Sequence, residues 1–174
     1  MNNPEQTKVR QPLSCAILTA SDTRTAQNDT SGDLIEVSLI NVGHKIKKRA
    51  IVKENIEELK TFIGETVNTG TIDILLITGG TGITKRDLTP EAVGHFSTKE
   101  IPGFGELFRW LSYQDIGSST IQSRACAHLC ENTIVFALPG STSAVRLALE
   151  KIILPQLDID HKPCNFAQLL PRIR

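Results

Sequence analysis

The chain has no surplus of charge of either sign: nineteen lysines and arginines balance nineteen aspartates and glutamates over 174 residues. That balance argues against nucleic-acid binding and against electrostatic docking on a membrane. Any anion it binds must be held locally, by backbone amides and a few placed side chains. No apolar run approaches the roughly 20 residues that a membrane-spanning helix needs. The polar stretch from Met1 to Arg10 also lacks the apolar centre of a signal peptide. Cysteine is scarce: Cys15, Cys126, Cys130 and Cys164 are the four thiols, and no CxxC pair occurs. Such usage fits a reduced, cytoplasmic protein better than a disulfide framework. A metal site through Cys126, His128 and Cys130 is one reading of the one close pair. Structural zinc, however, takes four ligands from paired motifs, so small buried thiols on one face of a helix is the preferred reading.

What remains is ordinary globular material, with 40% hydrophobic and 22% charged residues in a length that suits a single domain. Residues 1–12 are expected to form a flexible arm and residues 13–174 one domain, without repeats or linkers. Apolar runs rich in β-branched residues alternate with helical spacings. Strands are predicted over Leu13 to Thr19, Lys45 to Val52, Asp73 to Thr78 and Thr133 to Leu138. The unbroken Ile74, Leu75, Leu76 and Ile77 suit a strand covered on both faces. Helices are predicted from Asp33 to Val42, from Ile56, over Pro90 to Ser97, over Phe104 to Tyr113, around Ile121 to Cys130, and after Ser141. This alternation predicts an α/β fold, a mostly parallel sheet with helices on both faces.

In such sheets ligands bind beyond the carboxyl ends of the strands, and three strand ends carry suggestive residues. The first is Thr78-Gly79-Gly80-Thr81-Gly82. Its glycines allow close backbone approach to a ligand, and successive amides can form an anion-binding concavity. A tight structural turn is the alternative. The second is Asp87-Leu88-Thr89-Pro90-Glu91-Ala92. Thr89 and Pro90 read as a helix start, which leaves Asp87 beside the glycine turn to hold Mg²⁺ or orient a reacting group. Lys85 and Arg86 either neutralise phosphate charge or are simply solvated. The third is Pro139-Gly140-Ser141, either an anion site at a helix N-terminus or an ordinary cap. After the first strand come Ser21-Asp22 and then Asp29-Thr30-Ser31-Gly32. There the spacing favours Asp29 and Ser31 as caps over ligand contacts.

Taken together these strings, with Pro102-Gly103-Phe104-Gly105-Glu106, resemble the MoaB/MogA family of molybdenum cofactor biosynthesis proteins. Asp29 to Gly32, Ile116-Gly117, Ser123-Arg124 and the tail Pro163-Cys164-Asn165-Phe166 resemble its MoaB-like members in particular. The resemblance implies a three-layer α/β/α sandwich assembled as a homotrimer or dimer of trimers. It implies molybdopterin as substrate, Mg²⁺ as metal and ATP as co-substrate in adenylyl transfer to the pterin phosphate. By position, Thr78, Gly79, Gly80, Thr81, Gly82, Ser21, Gly140 and Ser141 would bind substrate or phosphate. Asp87, Glu54 and Asp29 would be the catalytic acids, with Asp29 and Asp87 on Mg²⁺. One departure stands out: the adenylyltransferases carry an aspartate after the second strand, where this chain has Glu54. A pterin- or nucleotide-binding protein without transfer activity, or a scaffold that only oligomerises, are the competing implications. Apolar residues around Phe104, Phe108 and Trp110 exceed what one helix face needs and point the same way as the resemblance, to an oligomer.

Overall fold

A computed structural model describes residues 11–173; the arm expected over residues 1–12 lies, up to residue 10, outside them. Six strands form one mixed sheet in the order β2-β1-β3-β6-β5-β4. The parallel part comprises β1 (Ser14–Ala20), β2 (Lys45–Val52), β3 (Ile74–Thr78) and β6 (Thr133–Leu138). An antiparallel margin is added by β5 (Cys126–Cys130) and the two-residue β4 (Lys99–Glu100).

Alternation along the central strands divides the core in two. Cys15, Ile17, Ile74, Leu76, Ile134, Phe136 and Leu138 face one side. There they meet α1 (Thr30–Val42), α4 (Pro102–Ile116), α5 (Thr142–Ala148) and α7 (Phe166–Ile173). Ala16, Leu18, Ala20, Leu75, Ile77, Val135 and Ala137 face the other, against α2 (Ile56–Val67) and α3 (Thr89–Gly94). The result is the expected α/β/α sandwich. All five residues of β3 are buried, and each apolar one contributes about 1.5–3 kcal/mol by leaving water.

Local signals set the helix ends. Asn55 caps α2 by accepting from the amides of Glu57 and Glu58, and Gly43 closes α1 in the left-handed region. A five-residue π segment, Leu149–Ile153, joins α5 to α6 (Leu154–Leu157) in one continuous rod. Near the tail, buried Asn165 donates to the carbonyls of Ile159 and His161 and accepts from the Gln168 amide. That network fixes the turn from which Phe166 reaches Phe136, 5.9 Å between ring centres.

One predicted helix is absent. Where Ile121 to Cys130 were expected to be helical, the chain makes a 3₁₀ turn, Gly117–Gln122, and then β5. Cys126, His128 and Cys130 do share a face, but at the strand period, so they are spread along β5 rather than gathered. Among the described residues no group of three or more His, Cys, Asp or Glu is arranged to hold a metal ion. Burial pushes the Cys126 thiol up to about 11 and the Cys130 thiol to about 12, which leaves both protonated and unreactive. No helix among the described residues is long and apolar enough to cross a membrane.

Candidate functional site

The first crossover returns to one side of β1 and the second passes to its other side, so the strand order reverses between β1 and β3. Crevices form at such reversals, outside the carboxyl ends of the strands. Here the ends are level: Thr19 pairs with Thr78, and Thr78 with Leu138. The cleft above them measures about 530 Å³, within the range of small-molecule sites. It is lined by Ser21, Asp29 and Glu54, by the whole turn Thr78 to Gly82, and by Asp87, Gly140 and Ser141. The eleven residues assigned by the resemblance thus border one cavity, whereas Lys85 and Arg86 do not line it.

The glycine turn is held from below. Gly79 has φ +104°, and a Cβ there would lie 2.1 Å from the Ala20 carbonyl oxygen, so only glycine fits between β1 and β3. Its amide donates to Leu138 O at 2.9 Å, while the Thr78 hydroxyl donates to Pro139 O at 2.9 Å. Thr89 does not cap α3 as expected; Leu88 holds the cap position without a side-chain bond. Instead the fully buried Thr89 donates its hydroxyl to Gly79 O (2.8 Å) and its amide to Gly80 O (3.0 Å). In a trans peptide C=O and N–H point in opposite directions. With both carbonyls drawn toward α3, the amides of Gly80 and Thr81 turn to the opposite side of the sheet ends, into the cleft. Both residues are buried, and among the described residues neither amide has a protein acceptor.

Asp87 and Arg124 build the other end of the turn. The Asp87 carboxylate accepts from the Thr84 amide at 2.8 Å. Burial raises its pKa, but bonds from the Thr84 hydroxyl and the amides of Thr84 and Gly82, with the Arg124 charge, outweigh that and hold it below the usual range. A Cβ on Gly82 would stand 2.9 Å from an Asp87 oxygen, so the last glycine makes room for the acid. Arg124 donates from its backbone to Thr81 O (2.9 Å), from Nε to Gly82 O (2.6 Å) and from Nη2 to Asp87 O (2.6 Å), while Nη1 pairs with Glu91.

Three acids converge at the rim. Burial, followed by the Asp87 and Asp22 charges, pushes the Glu54 carboxyl above its ordinary value, against the opposing pull of Arg86. Arg86 pairs with Asp22, bridging the loop after β1 to the loop after β3.

Asp29 does not join this group. It is 1% exposed; one oxygen accepts from Thr19 Oγ1 (2.8 Å) and Arg49 (2.9 Å), and the other from the Gly32 amide (3.0 Å). The cap favoured by its spacing is present, and the carboxylate is engaged by the Arg49 ion pair and by the bonds from Thr19 and Gly32. Arg49 also pairs with Asp33 and Glu36; these acids outweigh the burial that would lower its pKa and raise it. Ser31 is not a cap: it donates to Gly140 O at 2.9 Å and meets Thr142 at 3.1 Å, tying the start of α1 to the start of α5. Ser21 accepts from the amides of Thr23 and Arg24, closing a turn on itself. Ser141 caps α5 by position with no side-chain bond.

Sequence reasoning missed the wall opposite the glycine turn, formed by Phe108, Ser112, Ile116, Ser119, Thr120 and Gln122 from α4 and the 3₁₀ turn. The run Gly117-Ser118-Ser119-Thr120 was the available signal, a cluster of loop formers between two predicted helices.

Comparison with known proteins places this architecture. A family profile described as "Probable molybdopterin binding domain" matches residues 16–159. Molybdenum cofactor biosynthesis protein B of Escherichia coli K12 is 46% identical over 155 residues, covering 89% of this chain and 91% of that protein. The Bacillus cereus protein of the same name is 49% identical over 144 residues, covering 82% and 85%. A crystal structure of a molybdenum cofactor biosynthesis protein B superposes with TM-score 0.84 at 43% identity, covering 94% and 96%. The tungsten cofactor synthesizing protein MoaB from Pyrococcus furiosus superposes with TM-score 0.75 at 34% identity, covering 82% of this chain and 91% of that one. With a molybdopterin-binding domain over most of its length and a cleft at the strand ends, the chain belongs to the MoaB family of molybdenum cofactor biosynthesis proteins.

Proposed function

We propose that the cleft binds molybdopterin and ATP and transfers AMP to the terminal phosphate of the pterin. The observation that carries this reading is the pair of free, buried amides of Gly80 and Thr81, aimed into a cavity of small-molecule size. Adenylyl transfer is an in-line attack of the pterin phosphate oxygen on the α-phosphorus of ATP, with pyrophosphate leaving. Both reactants are anions, so the protein's work is to position them and offset their repulsion rather than to supply a nucleophile. Gly80 and Thr81 donate to one phosphate, and Ser141 at the start of α5 donates to the other. Arg24 lines the cleft as a cation, while Arg86 is paired with Asp22. Mg²⁺ suits one or two carboxylates completed by substrate phosphates; Asp87 and Glu54 fit that description and Asp29 does not. When bound, the ion offsets phosphate charge as a Lewis acid. Asp29 serves instead to set the start of α1 against the cleft.

A second reading, a pterin or nucleotide binder without transfer activity, is favoured by Glu54, which is one methylene longer than the aspartate of the adenylyltransferases. A displacement of about 1 Å at a reacting centre costs on the order of 10²-fold in rate. The test is incubation of the purified protein with molybdopterin and Mg-ATP, reading adenylylated pterin and pyrophosphate, beside Asp87→Ala and Glu54→Asp. Product lost in Asp87→Ala supports transfer. Saturable pterin binding without product, with activity appearing in Glu54→Asp, supports the binder.

We further propose a homo-oligomer, a trimer or a dimer of trimers. Phe104 and Phe108, expected to contribute to the contact, are buried within their own subunit. The apolar surplus is instead Leu107, Trp110, Tyr113 and Ile116 of α4 with Ile121, each between 42% and 83% exposed. A sedimenting monomer at micromolar concentration would overturn it.

A further inference from the structure

The turn Gly79 to Gly82 has no intrinsic reason to present its amides to one side, because glycine peptides rotate with little steric cost. Its orientation is imposed by whatever holds its carbonyls. Two of those carbonyls, Gly79 O and Gly80 O, are taken by a single residue, Thr89, through its hydroxyl and its backbone amide. The backbone bond is available to any residue at that place except proline. The hydroxyl bond is not, and a Cβ on Gly80 would come 2.6 Å from Thr89 Oγ1, so hydroxyl and turn are packed in contact. Thr89 is 0% exposed and lies on the α2/α3 side of the sheet. The cleft lies on the other side, walled by α4 and the start of α5.

We infer that Thr89 is a positioning residue: its hydroxyl turns the Gly79–Gly80 peptide so that the Gly80 N–H faces the ligand's phosphate. Thr89 touches no ligand itself. It acts across the sheet ends, from behind the turn, and its bond to Gly79 fixes one of the two amides left without a protein acceptor. The consequence is specific. Removing the hydroxyl frees the Gly79–Gly80 peptide to rotate, whereas the Thr81 amide stays aimed by the Thr89 backbone bond to Gly80 O. The inference rests on the reading of the cleft as an anion site, and its test separates the two.

Thr89→Val removes the hydroxyl at nearly constant shape, Thr89→Ser retains it, and Thr89→Ala is a second deletion should valine not be accommodated. Amide and carbonyl resonances of Gly79, Gly80 and Thr81 are followed in ¹⁵N/¹³C-labelled protein, first alone and then with inorganic pyrophosphate and with molybdopterin. Without ligand, the Gly79 carbonyl and Gly80 amide are expected to shift in Thr89→Val and to stay in place in Thr89→Ser. With ligand, both Gly80 and Thr81 amides are expected to respond in the wild type. In Thr89→Val the Gly80 response is lost and affinity falls at least tenfold, while Thr89→Ser binds within threefold of wild type. A wild type that binds neither probe would remove the anion-site reading, and the ligand-free spectra would still decide the role of Thr89. Unchanged Gly79 and Gly80 resonances in Thr89→Val, or undiminished affinity there, would overturn the inference.

Discussion

Two loops line the same cleft and are built in opposite ways. The loop after β1, from Ser21 to Asn28, is tied mostly to itself. Ser21 accepts from Thr23 and Arg24, Asn28 accepts from Thr25, and the Arg24 guanidinium donates to Asn28 O at 2.8 Å. The loop after β3, from Gly79 to Asp87, is tied to β6, to α3 and to the segment before β5. The first forms a rim braced largely by its own bonds, and the second forms a floor braced by the elements around it. Binding energy is best used for orientation when part of a site is preorganised and part yields.

The largest test of that contrast falls on the floor. Gly79→Ala sets a methyl 2.1 Å from Ala20 O at positive φ; a loss of about 4 kcal/mol or more is expected in denaturant unfolding. Asp29→Ala follows, where the rim meets the core. It leaves Arg49 and Thr19 without their buried acceptor, and about 2–4 kcal/mol should be lost. Arg124→Lys should lower stability by about 1–2 kcal/mol, since an ammonium cannot reach both Gly82 O and Asp87 O. Hydrogen exchange in residues 82–87 should accelerate there while residues 21–28 stay unchanged.

Glu54→Gln has the opposite sign. Burial and the charges of Asp87 and Asp22 raise this carboxyl's pKa in the folded state. Stability is therefore lost as pH rises from the unfolded value through the folded one, and the penalty is absent in acid below the unfolded value. The variant should melt a few degrees higher at pH 7, with the gain vanishing in acid. Smallest is Arg86→Ala, which opens the exposed pair with Asp22. Its stability cost should stay below about 1 kcal/mol, and a change larger than that of Arg124→Lys would erase the distinction between rim and floor.

The central strands were legible because β3 and its neighbours are buried on both faces and so read as unbroken apolar runs. The glycine turn and Asp87 were legible as a place but not as a construction. Glycine for close approach can be read from spacing, but which carbonyls Thr89 and Arg124 take cannot, since those bonds span 9 to 43 residues of chain. The β5–β6 hairpin was missed for a local reason. Its two-residue connection is Glu131-Asn132, with Glu131 at φ +51°, where the usual signal is Asn-Gly. Without that signal, cysteines four apart look like a helix face. Asp22 and Arg86 were missed as partners because an ion pair 64 residues apart leaves no trace in spacing.

The π segment Leu149–Ile153 sets the gearing of the C-terminal part of the chain. Each residue inserted into an α-helix rotates everything beyond it by about 100°. The rod that begins at the cleft with Ser141 therefore buries Val145 and Ala148 before the segment and Leu157 after it on a phase that a regular helix would not keep. Shortening the rod by one residue there would leave its first turn at the cleft untouched. It would swing Leu157 and the docked tail around the axis, so the length of this helix is held to the residue by what lies at its far end.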